Sequence, residues 1–105
     1  MTTFADIQTA AGRIRDFVHR TPVLASATLD REFGASLFAK CENLQKCGAF
    51  KARGACNAVL ALDAVTAARG VITHSSGNHG AALAYAAQMR GVPCTVVMPD
   101  TAPEV

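Results

Sequence analysis

Lys51 is the side chain around which chemistry could be organised. It lies in Glu42-Asn43-Leu44-Gln45-Lys46-Cys47-Gly48-Ala49-Phe50-Lys51-Ala52-Arg53-Gly54-Ala55, which joins an apolar strand-like run to an alanine-rich helical segment. The lysine stands where that helix should begin. The positive end of the helix dipole, the cations Lys46 and Arg53 and the aromatic Phe50 are each expected to disfavour its ammonium form. An amine that sheds its proton readily is a nucleophile, and its usual employment is a Schiff base with a carbonyl cofactor. A solvated lysine at a loop-to-helix junction is the competing reading, and these local features leave it open.

A second constellation, Ser75-Ser76-Gly77-Asn78-His79-Gly80, falls between a short β-branched run and a helical one. At the carboxyl end of a strand in an open α/β sheet, backbone N–H groups and the helix dipole converge on an anion, which makes this a candidate ligand turn. An ordinary strand-to-helix turn would also carry such glycines. The three-glycine spacing of a dinucleotide fingerprint and the Gly-Lys-Ser/Thr of a phosphate loop are both missing. His74 and His79 lack zinc-motif spacing, so no metal site is expected.

The elements that must position these groups can be read from periodicity. From Thr3 to His19, the residues Phe4, Ile7, Ala11, Ile14 and Val18 recur every three or four positions and predict a helix. Thr3 and Asp6 resemble a capping box, and Pro22 stops the helix. Thr21 to Leu24 reads as extended, Ser26 to Phe33 as a short helix closed by Gly34, and Ser36 to Glu42 as an alternating strand. Ala55, Ala58, Val59 and Leu62 predict one helix running to about Ala68, with Gly70 past its end. Val71 to His74 and Cys94 to Met98 read as buried parallel strands, separated by a helix over Asn78 to Arg90 that is apolar on nearly every side. Strand, helix, strand, helix, strand defines an α/β fold: an open parallel sheet with flanking helices. Thr101-Ala102-Pro103-Glu104 then announces a further helix one residue before the sequence stops, so the chain reads as the front part of a longer polypeptide.

Composition narrows the classes. With 105 residues there is room for one small domain, and half of them are hydrophobic, with alanine carrying much of that share. Small side chains at this density suit helices packed closely on a sheet. A net charge of +2 gives no nucleic-acid footprint, and no apolar run reaches membrane-spanning length. The N-terminus has no signal-peptide pattern. Cys41, Cys47, Cys56 and Cys94 form no C-x-x-C pair, which fits the reduced thiols of a cytoplasmic protein.

Taken together, Asn43-Leu44-Gln45-Lys46, Gly48-Ala49-Phe50-Lys51-Ala52-Arg53-Gly54-Ala55 and Ser75-Ser76-Gly77-Asn78-His79-Gly80 resemble the fold type II pyridoxal-phosphate enzymes, most closely their serine racemase and threonine (serine) dehydratase branch. The resemblance runs from Thr21-Pro22-Val23 to Thr101-Ala102-Pro103. It implies pyridoxal 5'-phosphate as cofactor and Lys51 as the lysine that forms the Schiff base and removes the substrate α-proton. It places Phe50 against the cofactor and Asn78 at its 3-hydroxyl. Ser75, Ser76, Asn78 and His79 would surround the substrate carboxylate, with Ser76 as the acid/base on the face opposite the lysine. It also implies a division into residues 1–51, the start of a large cofactor domain, and 52–105, part of a smaller α/β domain, with a homodimer as the complete assembly. The family often has Thr-Gly-Ser-Phe-Lys where this chain has Cys47-Gly48-Ala49-Phe50-Lys51. The family's phosphate-cradling glycine loop and the residue facing the pyridine nitrogen belong beyond position 105. The expected activity is therefore that of the N-terminal portion of an enzyme that dehydrates or racemises small hydroxy amino acids. The rival expectation is a noncatalytic truncated chain that associates with a partner through its open sheet edge.

Overall fold

Thr3 and Asp6 do what their spacing predicts: the Asp6 carboxylate accepts the Thr3 N–H at 2.8 Å while the Thr3 hydroxyl accepts the Asp6 N–H at 3.3 Å. In the computed structural model, which describes residues 1–102, this box opens helix α1 (Phe4–Ile14). Strand β1 (Val23–Ala25), helix α2 (Ala27–Phe33) and strand β2 (Phe38–Lys40) follow. Next come α3 (Lys51–Ala61), α4 (Ala64–Ala68), β3 (Val71–His74), α5 (Asn78–Arg90) and β4 (Cys94–Val97). The helix expected from Thr101 onward lies outside the described residues.

Helix α1 ends a turn before the predicted His19. The backbone of His19 is drawn away by a tertiary partner, Gln45, which takes both its N–H and its C=O. Helix α2 has its expected ends, Ser26 as the cap and Gly34 at φ 63°. Strand β2 is shorter than Ser36 to Glu42, and it does not join a parallel sheet. It pairs antiparallel with β1, Val23 facing Lys40 and Ala25 facing Phe38. Alternation marks a strand without naming its partner, and the turn at Gly34 returns the chain beside β1 after a short, cheaply closed excursion.

The single helix expected to reach Ala68 is two helices. Leu62 turns extended at ψ 144°, and Asp63 caps α4 by accepting the Thr66 N–H at 2.9 Å. Asp63 three residues before Thr66 was the signal for that break. The last carbonyls of α3 find their partner far along the chain, because the Arg90 guanidinium at the end of α5 donates to Val59 and Leu62.

Strands β3 and β4 are parallel neighbours, Val71 opposite Cys94 through His74 opposite Val97, and α5 connects them. The core lies where α3 and α5 pack together: Ala55, Cys56, Val59, Ala82, Leu83 and Ala86, with Ile14 added from α1. Alanines at these positions let the helix axes approach closely. Ile14 lies before the 51/52 boundary expected for the domains and the others after it, so these residues share one core. The apolar helix and the strands expected to be buried are both only partly covered. Helix α5 is covered on one face (Gly80, Ala82, Leu83, Ala86, Ala87), with Ala81, Ala84 and Gln88 exposed. The parallel strands are covered on one side only, leaving Ile72 71% and Val97 54% exposed. Periodicity reported apolar surface in both cases, but it could not report how much covering material these residues hold.

Candidate active site

The approach to Lys51 is a pair of short 3-10 turns, Glu42–Leu44 and Lys46–Gly48. Cys47 and Gly48 are both left-handed, at φ 57° and 64°, which costs nothing for the glycine and something for the cysteine. Gly48 donates to the Gln45 carbonyl at 2.8 Å, and Ala49, 7% exposed, anchors the end of the turn. Helix α3 then begins at Lys51 with no side-chain cap. Lys51 is exposed, and its Nζ sits 5.2 Å from the centroid of the Phe50 ring. That geometry is a cation–π contact. The charge of Arg53 is paired with Glu42, 2.7 Å away.

Glu42 receives both arms of the Arg53 fork, at 2.8 Å from Nε and 2.7 Å from Nη2, together with the Thr21 hydroxyl at 2.5 Å. The Arg53 guanidinium holds the Glu42 carboxyl down at about 2, against the opposing effect of burial. Gln45, 4% exposed, accepts the N–H groups of His19 (2.8 Å) and Lys46 (2.9 Å) and donates to the His19 carbonyl (2.8 Å). Sequence reasoning counted Arg53 only as a nearby cation and gave Glu42, Gln45 and Thr21 no role. Their partners are up to 34 positions apart, and no local pattern joins them.

At the other constellation, β3 ends at His74 and Ser75 donates its N–H to the Val97 carbonyl at 3.0 Å, which fixes the turn to β4. The Ser75 hydroxyl accepts the Gly77 N–H at 3.2 Å. Gly77 precedes α5 and offers no side-chain cap, so the first N–H groups of this helix are left for solvent or an anion. Gly80 is buried, and a Cβ there would stand 3.0 Å from both the Ser75 carbonyl oxygen and Val96 Cγ1. Its missing side chain lets the helix start lie directly on the strand ends.

Helices α3 and α5 bring Lys51 and Phe50 of the first constellation and His79 of the second to one cavity. Phe50, Lys51, Gly54, Ala55, Ala58, His79 and Leu83 line one cavity of about 310 Å³. Ser75, Ser76 and Asn78 are not in its wall, although they share with His79 the start of α5. Cys47, at the position of the family threonine, also reaches across, its Sγ 3.7 Å from the Ala81 carbonyl of α5. A larger cavity of about 440 Å³, lined in part by Ile14, His19, Arg20 and Lys40, contains none of the candidate residues except the lysine's neighbour Arg53. The site with chemistry is thus the smaller one.

The α/β fold, with Lys51 at one helix start sharing a cavity with His79 near the start of another, has the architecture expected of a fold type II enzyme. The chain belongs to the pyridoxal-phosphate dependent enzymes, whose family model matches residues 14–105. A serine racemase of Arabidopsis thaliana is 60% identical over 98 residues, covering 93% of this chain and 30% of that protein. The beta-hydroxyaspartate dehydratase of Paracoccus denitrificans is 56% identical over 102 residues, covering 97% of this chain and 32% of its own length. The crystal structure of serine racemase from Dictyostelium discoideum superposes with a TM-score of 0.95 at 52% identity, covering 98% of this chain and 34% of that one. The chain spans about a third of the length of the relatives it matches.

Proposed function

We propose that these residues supply the lysine and the substrate-side turn of a pyridoxal-phosphate enzyme acting on small hydroxy amino acids of the serine or threonine type, by dehydration, racemisation or both. The observation that carries the reading is the cavity shared by Lys51, Phe50 and His79 between the starts of α3 and α5. Its lining fits the cofactor: the Lys51 side chain, the exposed ring of Phe50, the small Gly54, Ala55 and Ala58 where a flat ring needs room, and His79 from the uncapped start of α5. When bound, pyridoxal phosphate supplies a ring that accepts the electron pair left on Cα.

In this reading Lys51 holds the cofactor through its amine and takes the Cα proton, while Phe50 covers one side of the ring and Asn78 hydrogen-bonds its hydroxyl. The start of α5, with Ser75, Ser76, Asn78 and His79, seats the substrate carboxylate on N–H and hydroxyl donors. Ser76 returns a proton to the face opposite Lys51, which inverts the centre. Expulsion of the β-hydroxyl instead gives dehydration, and then a 2-oxo acid and ammonia. The phosphate-cradling loop comes from residues beyond these or from a partner chain, and the complete protein works in the cytoplasm as a homodimer.

The test is borohydride reduction of the complete protein in the presence of pyridoxal phosphate, followed by peptide mapping. The pyridoxyl label is expected on Lys51, and a label on Lys46 or Lys40 would sink the reading.

A further inference from the structure

Lys51 is bracketed by two polar side chains, Gln45 six positions before it and Arg53 two positions after it, and both are tied to one carbonyl. The His19 oxygen accepts from Gln45 Nε2 at 2.8 Å and from Arg53 Nη2 at 3.1 Å. Resting on the function proposed above, we infer that Gln45 and the Glu42–Arg53 pair are positioning residues, which set the Lys51 amine by clamping both ends of its segment onto His19–Thr21.

The need for such a clamp follows from local weakness. Helix α3 starts without a side-chain cap, carries no acidic residue in its first turn, and has a cation at its positive end. The turn before it passes through two consecutive left-handed residues, one of them a non-glycine. Locally the first turn of α3 is closed only by the backbone bonds from Ala52 N–H to the Ala49 carbonyl and from Arg53 N–H to the Phe50 carbonyl, and tertiary ties stand in for the missing side-chain cap. Gln45 is almost fully buried and holds the entry to the turn, its Oε1 taking the Lys46 N–H as well as that of His19. Arg53, in the first turn of α3, places both fork arms on Glu42. The base on which they close is itself fixed, because Thr21 is 5% exposed, its hydroxyl goes to Glu42, and its carbonyl accepts Lys40 Nζ at 2.6 Å. A part-buried network of this kind, anchored on the buried Gln45 and Thr21, restrains its members to one geometry, and an amine displaced by about 1 Å can lose on the order of a hundredfold in rate.

The experiment uses the complete protein from the reading frame that contains these residues, with the variants Gln45→Met, Glu42→Gln, Arg53→Met, the Glu42→Gln/Arg53→Met pair and Arg53→Lys. It measures the rate of borohydride-fixed pyridoxyl labelling at Lys51 and the visible circular dichroism of the bound cofactor, beside thermal unfolding without cofactor. Each single removal should slow labelling about tenfold or more and weaken the visible dichroism. The double variant should be no worse than its poorer single parent, and Arg53→Lys, which keeps the charge and loses the fork, should be intermediate. Labelling rate and dichroism equal to the parent's, with only the unfolding temperature lowered, would show a purely structural network and overturn the proposal. If the removals do not fold, Arg53→Lys decides, and an unchanged rate in it overturns the proposal too. A parent protein never labelled at Lys51 overturns the function reading and this proposal with it, whereas a labelled parent with unaffected variants overturns this proposal alone.

Discussion

The carboxylate of Glu42 and the hydroxyl of Ser76 mark two kinds of residue in this chain, one bound into a hydrogen-bonded network beside the lysine loop and one proposed above to move a proton. Glu42 titrates at about 2 in the folded chain, below an ordinary carboxylate, chiefly because Arg53 binds its charged form. A depressed folded value means that the unfolded chain binds the proton first. The pair's contribution is therefore complete above about pH 4.5 and is lost as pH falls from there through about 2. Glu42→Gln should flatten this part of the stability-against-pH curve, and an unchanged acid limb in urea titrations would refute the assignment. Ser76 is exposed at the approach to α5. In the complete enzyme Ser76→Ala should depress racemisation more than β-elimination, because elimination from one enantiomer needs proton removal on the lysine face only. Equal losses in both assays would leave Ser76 as a seat for the substrate carboxylate and nothing more.

Two helix starts do most of the positioning at the level of elements, and both were placed correctly from sequence, α3 at Lys51 and α5 at Asn78. Their mutual arrangement depends on small residues. Gly80 lies where α5 meets the strand ends, with backbone on one side and Val96 on the other. Gly80→Ala cannot be relieved by turning a flexible side chain, since one of the atoms it meets is the Ser75 carbonyl oxygen 3.0 Å away. The substitution should cost about 1–3 kcal/mol and push the Ser75 turn outward. Chemical denaturation of the variant checks the first effect and weaker substrate binding the second; wild-type values for both would show that the helix can simply slide. The β1–β2 ribbon taught the opposite lesson. Its strands were legible and its pairing was not, because either partner would have satisfied the same alternation.

The whole molecule leaves much apolar surface in water. Phe4, Phe33, Phe38 and Ile72 are all at least 68% exposed. Faces of this kind are docking surfaces or aggregation liabilities. The 105-residue chain expressed alone should therefore self-associate and bind pyridoxal phosphate weakly, since no phosphate-cradling loop has been identified within it. Size-exclusion chromatography with light scattering, followed by cofactor titration, tests this. A monodisperse monomer that binds the cofactor tightly and stoichiometrically, and turns over serine or threonine, would show that the Ser75–Gly80 turn serves as the phosphate site by itself.

What the sequence alone determined was a set of local settings: a lysine at a helix start, a glycine-punctuated turn after a β-branched strand, the capping box at Thr3, the stop at Gly34. These are fixed by hydrogen bonds and dihedral preferences within a few residues, so local spacing reports them. Tertiary structure alone decided that α1 stops at Ile14 because Gln45 takes the backbone of His19, and that Arg53 belongs to Glu42 and not to the field around Lys51. It also decided that Arg90 closes α3, and that β2 lies against β1. Each of these is a choice among partners that sequence leaves equivalent, and it is settled by which groups the packed helices bring within hydrogen-bonding reach.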